Sequence, residues 1–245
     1  MPIYTAKRGA VSYGHSVGML MIDCHIPFIP GDIGNAQTFK YPILYRKVES
    51  ASIERLIDHG DMSISPQVIE AAKYLESQGV RAITSDCGFM IYFQQAVASA
   101  VNVPVMLSSL MQLTFISSLL APSQAIGIIC ANAKRLTPEL IAKAFPANDR
   151  TLIVAGMQDQ PAFRSSILLE SGDLDSEAVE RELVNVGTKL VETNPSIGAI
   201  LLECSDLPPY AKALQDRINL PVFDFTTMID FVHAATSRRR FEGTL

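Results

Sequence analysis

The chain has 245 residues and a formal net charge of −5, with 48% hydrophobic and 18% charged residues. That balance excludes a disordered chain, and the length suffices for one large domain or two smaller lobes. The negative charge argues against a nucleic-acid surface, and no apolar run reaches the roughly 20 residues needed to cross a membrane.

The N-terminal segment carries Lys7 and Arg8 but no cleavable-leader layout, so a cytoplasmic protein is expected. Val17 to Ile22 is a continuous apolar run of strand length, suited to a sheet buried on both faces. A loop rich in turn formers follows, Pro30-Gly31-Asp32-Ile33-Gly34-Asn35, and Pro42 to Val48 reads as a second strand. Ser65-Pro66 opens a helix with Val68, Ile69, Ala72 and Leu75 at helical spacing, and Gly79 stops it. Ala82 to Ser85 is a third strand, running into Asp86-Cys87-Gly88-Phe89. Tyr92 to Val101 reads as a helix and Val103 to Leu107 as a fourth strand with proline near its start. Ser108-Ser109 lead into an apolar helix that ends near Leu120.

The pattern then restarts. Ile126 to Cys130 echoes the first strand, Thr137-Pro138 opens a helix, and Thr151 to Ala155 is a strand. A helix begins at Ser176, with Val179, Leu183, Val186 and Leu190 on one face. Ile197 to Leu202 is a strand before Glu203-Cys204-Ser205-Asp206. Pro209 to Arg217 is a helix, Pro221 to Phe225 a strand, and Met228 to Ser237 the last helix. Arg238-Arg239-Arg240 reads as a solvated helix end.

Strands alternating with helices indicate an α/β fold with parallel sheets. Cys87 and Cys204 lie 117 residues apart, and the same offset relates Ala82 to Ala199, Asn102 to Asn219, Pro104 to Pro221 and Ser109 to Thr226. The first strands align at the shorter offset of 109 (Gly18 to Gly127), so an insertion is expected in the second half, around Ser171-Gly172-Asp173. The expected architecture is two pseudo-symmetric lobes, each a four-stranded parallel sheet flanked by helices. Residues 1–120 with 225–245 form the first lobe, 121–224 form the second, and a cleft lies between them.

Ligands of open parallel sheets bind beyond the carboxyl ends of the strands, where both cysteines sit. Two thiols facing each other across a cleft can remove a proton from one side of a carbon and return one to the other. Backbone N–H groups at Cys87-Gly88 and Cys204-Ser205 are candidates for holding a substrate carboxylate. Asp86 and Glu203 are candidates for orienting the thiols, although strand alternation and like-charge repulsion stand against them. Cys24-His25, without a second ligand cluster, reads as loop or core rather than metal site, and Cys130 as packing. His15, His59 and His233 read as surface or cap residues. The four cysteines show no CxxC spacing and are expected as reduced thiols. GxSxG, GxGxxG and phosphate-loop patterns are missing.

With two similar halves, each placing a cysteine after its third strand, the chain resembles the aspartate/glutamate/hydantoin racemase superfamily. The resemblance implies a cofactor-independent racemase or epimerase, acting at the α-carbon of an amino acid, an amino-acid derivative or a hydantoin. Cys87 and Cys204 would be its acid/base thiols. Asn35, Phe39, Ser85, Gly88, Phe89, Ser109, Asn132, Ser205 and Asp206 would surround the substrate, and Lys40, Arg46 or Lys134 would meet a side-chain carboxylate. No cofactor or metal is implied; the partner is a small carboxylate or hydantoin, and a homo-oligomer fits the class. Asp206 stands where glutamate racemases carry histidine, and Gly88-Phe89 where they carry Asn-Thr, which points away from glutamate. The alternatives are a maleate-type cis–trans isomerase or a decarboxylase of the same fold, or a non-catalytic small-ligand binding protein.

Overall fold

A computed structural model describes residues 3–146 and 150–244. The first half supplies strands β1 (Val17–Met21), β2 (Ile43–Lys47), β3 (Ala82–Ser85) and β4 (Val105–Met106), and helices α1 (Ser65–Ser77), α2 (Gln94–Ala98) and α3 (Leu113–Leu119). The second supplies β5 (Ala125–Cys130), β6 (Leu152–Gly156), β7 (Ile197–Leu202) and β8 (Val222–Phe223). Its helices are α4 (Pro138–Ala144), the short α5 (Pro161–Phe163), α6 (Ser176–Thr193), α7 (Ala211–Ile218) and α8 (Phe225–Thr236).

Each half forms a four-stranded parallel sheet, in the orders β2-β1-β3-β4 and β6-β5-β7-β8. These are the two expected sheets. The strand registers reproduce both sequence offsets: Gly18 pairs with Ile83 and Gly127 with Ile200, while Ile83 pairs with Val105 and Ile200 with Val222. The central strands are buried along their whole length, Ala125–Cys130 and Ile197–Leu202 included, because helices cover both faces. Helix α6 lays Val179, Leu183, Gly187 and Leu190 against its sheet, and the Asp175 side chain caps it by accepting from the Ala178 N–H at 2.9 Å.

The boundaries differ from the sequence expectation in three places, each with a physical cause. Strands β4 and β8 shrink to two residues because Pro104 and Pro221 lend only their carbonyls to the ladder, accepting from Ile83 and Ile200 at 2.9 Å. After Cys87 the chain winds as a 3₁₀ turn, Gly88–Phe93, before α2. Five of those six residues are buried, so no solvent-facing stripe marks the helix period. Helix α8 starts at Phe225, three residues before the expected Met228, because Asp224 and Thr227 form a reciprocal capping box. The Glu54–Asp58 and Arg164–Leu168 helical turns also escape the sequence pattern.

Direct ties join the halves beside the cleft. Ser109 Oγ donates to the Leu202 carbonyl at 2.9 Å, Gln112 Nε2 donates to the Asp224 carbonyl at 2.8 Å, and Ser205 Oγ donates to the Asp86 carbonyl. Helix α8 crosses back onto the first sheet, where Phe225, Met228 and Ile229 pack with Val17, Met19, Ile33 and Phe39. These ties hold the ends of β3 and β7 together. Removing a buried donor strands its acceptor at about 1–3 kcal/mol. Ser109→Ala is therefore expected to lower unfolding stability by about that amount, measured as the shift in a urea midpoint; an unshifted midpoint would show that the bond contributes nothing.

Candidate active site

Cys87 directly follows Asp86 at the end of β3, and Cys204 sits in the equivalent place after β7. Both thiols line one narrow cleft between the lobes. The chain approaches them in the same way on both sides. The Phe89 amide draws the Cys87 pKa down, and the Asp206 amide does the same for Cys204, each from two residues further along. Burial outweighs both amides. Water is excluded and acidic groups lie nearby, so both thiols are pushed well above their ordinary range. Both shifts favour the neutral S–H form.

The acids are the second feature. Asp86, Glu203 and Asp206 line the cleft, each no more than half-exposed, and Asp86 and Glu203 are buried. Asp86 Oδ1 accepts from the Ile22 N–H at 2.9 Å, and Asp206 Oδ2 accepts from Cys204 Sγ at 3.3 Å. Behind Asp206 stands Asp32, whose Oδ1 accepts from the Gly34 N–H at 2.7 Å. Burial holds both carboxyls above the ordinary carboxylate range, and each acts on the other's titration. Asp86 is raised for the same reason. The remaining wall is apolar: Ile22, Ile26, Phe28, Ile53, Ile57, Phe89 and Ile167, with Cys24 among them. No Lys, Arg or His is among the described residues that line it.

Of the residues expected from sequence, the cleft brings together Cys87, Gly88, Phe89, Cys204, Ser205 and Asp206. The others are placed elsewhere. Asn35 donates from Nδ2 to the Phe28 carbonyl and accepts from the Gln37 N–H, which braces its own loop. Phe39 packs in the cluster under α8. Ser85 Oγ donates to the Leu107 carbonyl at 2.6 Å, and Ser109 is spent on the inter-lobe tie. Asn132 Oδ1 accepts from the Lys134 N–H. Each of these polar groups satisfies backbone, as buried or loop polar groups must, and none lines the cleft. Lys40, Arg46 and Lys134 are exposed, with Arg46 lying over the Tyr74 ring at 4.7 Å. The sequence reading missed Cys24, assigned to loop or core, and Asp32, hidden in a stretch read for its turns. Among the described residues no group of three or more His, Cys, Asp or Glu is placed to hold a metal ion, and no helix is long and apolar enough to cross a membrane.

Comparison with known proteins adds to this geometry. The Asp/Glu/Hydantoin racemase family model matches residues 37–229. Dimethylsulfoniopropionate lyase 7 of Emiliania huxleyi is 34% identical over 238 residues, which is 92% of this chain and 69% of that protein. Dimethylsulfoniopropionate lyase 6 of the same organism is 34% identical over 223 residues, 86% of this chain, of which the chain spans 57%. Among solved structures, unliganded arylmalonate decarboxylase superposes with a TM-score of 0.59 at 13% identity, over 94% of this chain and 96% of that one, which shows a shared fold. The expectation of an amino-acid or hydantoin racemase is corrected by these relatives, which are named as lyases. The described cleft lining likewise carries no basic side chain to meet the second carboxylate of aspartate or glutamate. The chain belongs to the Asp/Glu/Hydantoin racemase family of enzymes.

Proposed function

We propose that this chain is a lyase of dimethylsulfoniopropionate or a closely similar sulfonium carboxylate. The observation that carries the reading is the lining of the cleft: three thiols, Cys24 beside Cys87 and Cys204, with three acids and a mostly apolar wall, and no basic side chain among the described lining residues. The identity to named dimethylsulfoniopropionate lyases supports it. A sulfonium centre is a permanent cation whose methyl groups donate no conventional hydrogen bond. It suits apolar and aromatic walls with no competing cation close by.

The charge argument also explains how a buried thiol becomes a base. Without ligand, desolvation and the neighbouring acids hold both thiols protonated. A unit charge about 4 Å away at an effective dielectric of ~20 contributes about 4 kcal/mol, and it acts against that penalty. A cationic substrate thus favours thiolate formation as it binds, whereas a purely anionic one would oppose it.

The step that follows is a β-elimination. One thiolate removes a proton from the carbon next to the substrate carboxylate. The C–H electron pair forms the new C=C bond, the C–S bond breaks, and its pair leaves on sulfur as neutral dimethyl sulfide. Acrylate remains, and the proton held by the thiol returns to water. The second thiol faces the same carbon region from the other lobe and supplies a neutral S–H to the developing charge. Which thiol acts as base is set by which one the α-hydrogen faces.

General-base steps contribute about 10²–10⁴-fold. Cys87→Ala and Cys204→Ala are each expected to lose dimethyl sulfide release by at least ~100-fold while remaining folded, as followed by headspace gas chromatography. Full activity in either variant would contradict the two-thiol site. The charge argument is tested by ligand affinity. The trimethylammonio analogue of the substrate is expected to bind about tenfold or more tighter than the neutral methylthio analogue, a difference of about 1.4 kcal/mol or more. Equal affinities by calorimetry would remove the basis for a cationic substrate.

A further inference from the structure

Glu203 has no function in the elimination as written, yet it occupies an unusual place. It is 1% exposed and lines the cleft, and neither carboxyl oxygen makes a hydrogen bond of good geometry among the described residues, the Ala131 N–H lying only close enough to bias its titration. A buried carboxyl left unpaired costs several kcal/mol in general, so its retention calls for a partner that arrives from outside. The fold also makes room for it. A Cβ on Gly88 would collide with Oε1 and Cδ of Glu203 and come within 2.6 Å of its carbonyl oxygen. The Glu203 carboxyl thus packs against the residue that follows Cys87 and lies near enough to raise the pKa of both Cys87 and Cys204.

From this geometry we infer that Glu203 is the acid that receives the substrate carboxylate, donating a hydrogen bond from its protonated carboxyl to a carboxylate oxygen. The inference deepens the lyase reading and rests on it for the identity of the substrate. Its chemistry follows from the elimination. When the thiolate takes the α-proton, negative charge spreads onto the carboxylate, and a neutral O–H donor already in place stabilises it without reorganisation. As the C–S bond breaks, the extra charge drawn from the α-carbon departs with the electron pair on sulfur, acrylate keeps its carboxylate charge, and the proton stays on Glu203. An ionised Glu203 would repel the same group.

The protonation state required is the one the cleft imposes. Burial raises the Glu203 pKa to about 8, opposed in part by the Ala131 backbone N–H. The carboxyl is therefore mostly protonated below that pH and ionises as pH rises through it. The titratable neighbours are Cys87 and Asp86 after β3, Cys204 and Asp206 after β7, Cys130 at the end of β5, and Asp32 and Cys24 on the loops of the first lobe. Because several of these also titrate, a pH profile alone would not single out Glu203, and comparison with a variant is needed.

Two measurements test the assignment. The first is binding of propanoate to the intact protein, followed by calorimetry from below to above pH 8. In the wild type, affinity is expected to fall by up to tenfold per pH unit above the Glu203 pKa. Glu203→Gln keeps a donor that does not ionise and is expected to hold its affinity across the range, while Glu203→Leu binds weakly throughout. A flat wild-type profile, or a Glu203→Gln profile that falls like the wild type, overturns the assignment. The second is dimethyl sulfide release. Glu203→Gln is expected to keep activity within about tenfold of wild type and to lose the fall above pH 8, and Glu203→Leu to lose ~10²-fold or more in kcat. Glu203→Gln as inactive as Glu203→Leu would instead make Glu203 the base and overturn the donor role. A wild type that releases no dimethyl sulfide refutes the substrate reading, while propanoate binding still decides the role of Glu203.

Discussion

The structure depends on the desolvation of charge where β3 and β7 end side by side. Two thiols and several carboxyls are held there with little water and no cation of the protein's own among the described lining residues. Every group in the cleft is pushed toward its protonated form, because none has an opposite charge to stabilise ionisation. Such a site is poised rather than active. The inter-lobe bonds from Ser109, Gln112 and Ser205 keep the two strand ends close enough for this to hold.

The pseudo-symmetric halves contribute unequally to that cleft. Each supplies a thiol with an amide two residues further along, and each supplies an acid immediately before its thiol. The acids differ in their partners. Asp86 is tied to the Ile22 N–H, while Glu203 is left open. Asp206 adds an acceptor for Cys204 that has no counterpart next to Cys87, and the buried Asp32 carboxyl lies close to it. One side of the cleft thus holds a thiol with a carboxyl on it, and the other a thiol over a glycine.

Much of this was legible in the sequence. Apolar runs of strand length, Ser-Pro and Thr-Pro helix starts and the 117-residue offset lead to two parallel sheets with Cys87 and Cys204 at equivalent strand ends. The offset is readable because the same strand register recurs in both halves, down to Gly18 with Ile83 and Gly127 with Ile200. What could not be read were the contacts set by tertiary packing. Asn35, Ser85, Ser109 and Asn132 carry polar groups that suit a ligand, but loop and strand backbone claims each of them. Strand alternation places Glu203 and Cys204 on opposite faces, yet the cleft lies beyond the strand end, so both border it. The sign of the substrate's charge depends on which ionisable groups share the cleft, and chain order does not state that.

The claim that a cationic ligand converts a neutral thiol pair into a base is tested most directly by thiolate absorbance in the ultraviolet. The measurement is the difference between the wild type and a Cys87→Ala/Cys204→Ala double variant, titrated with and without the trimethylammonio analogue of the substrate. The account predicts no thiolate signal at neutral pH in the free protein, and its appearance when the cation binds. A thiolate already present in the free protein, or one that the cation fails to induce, would contradict it.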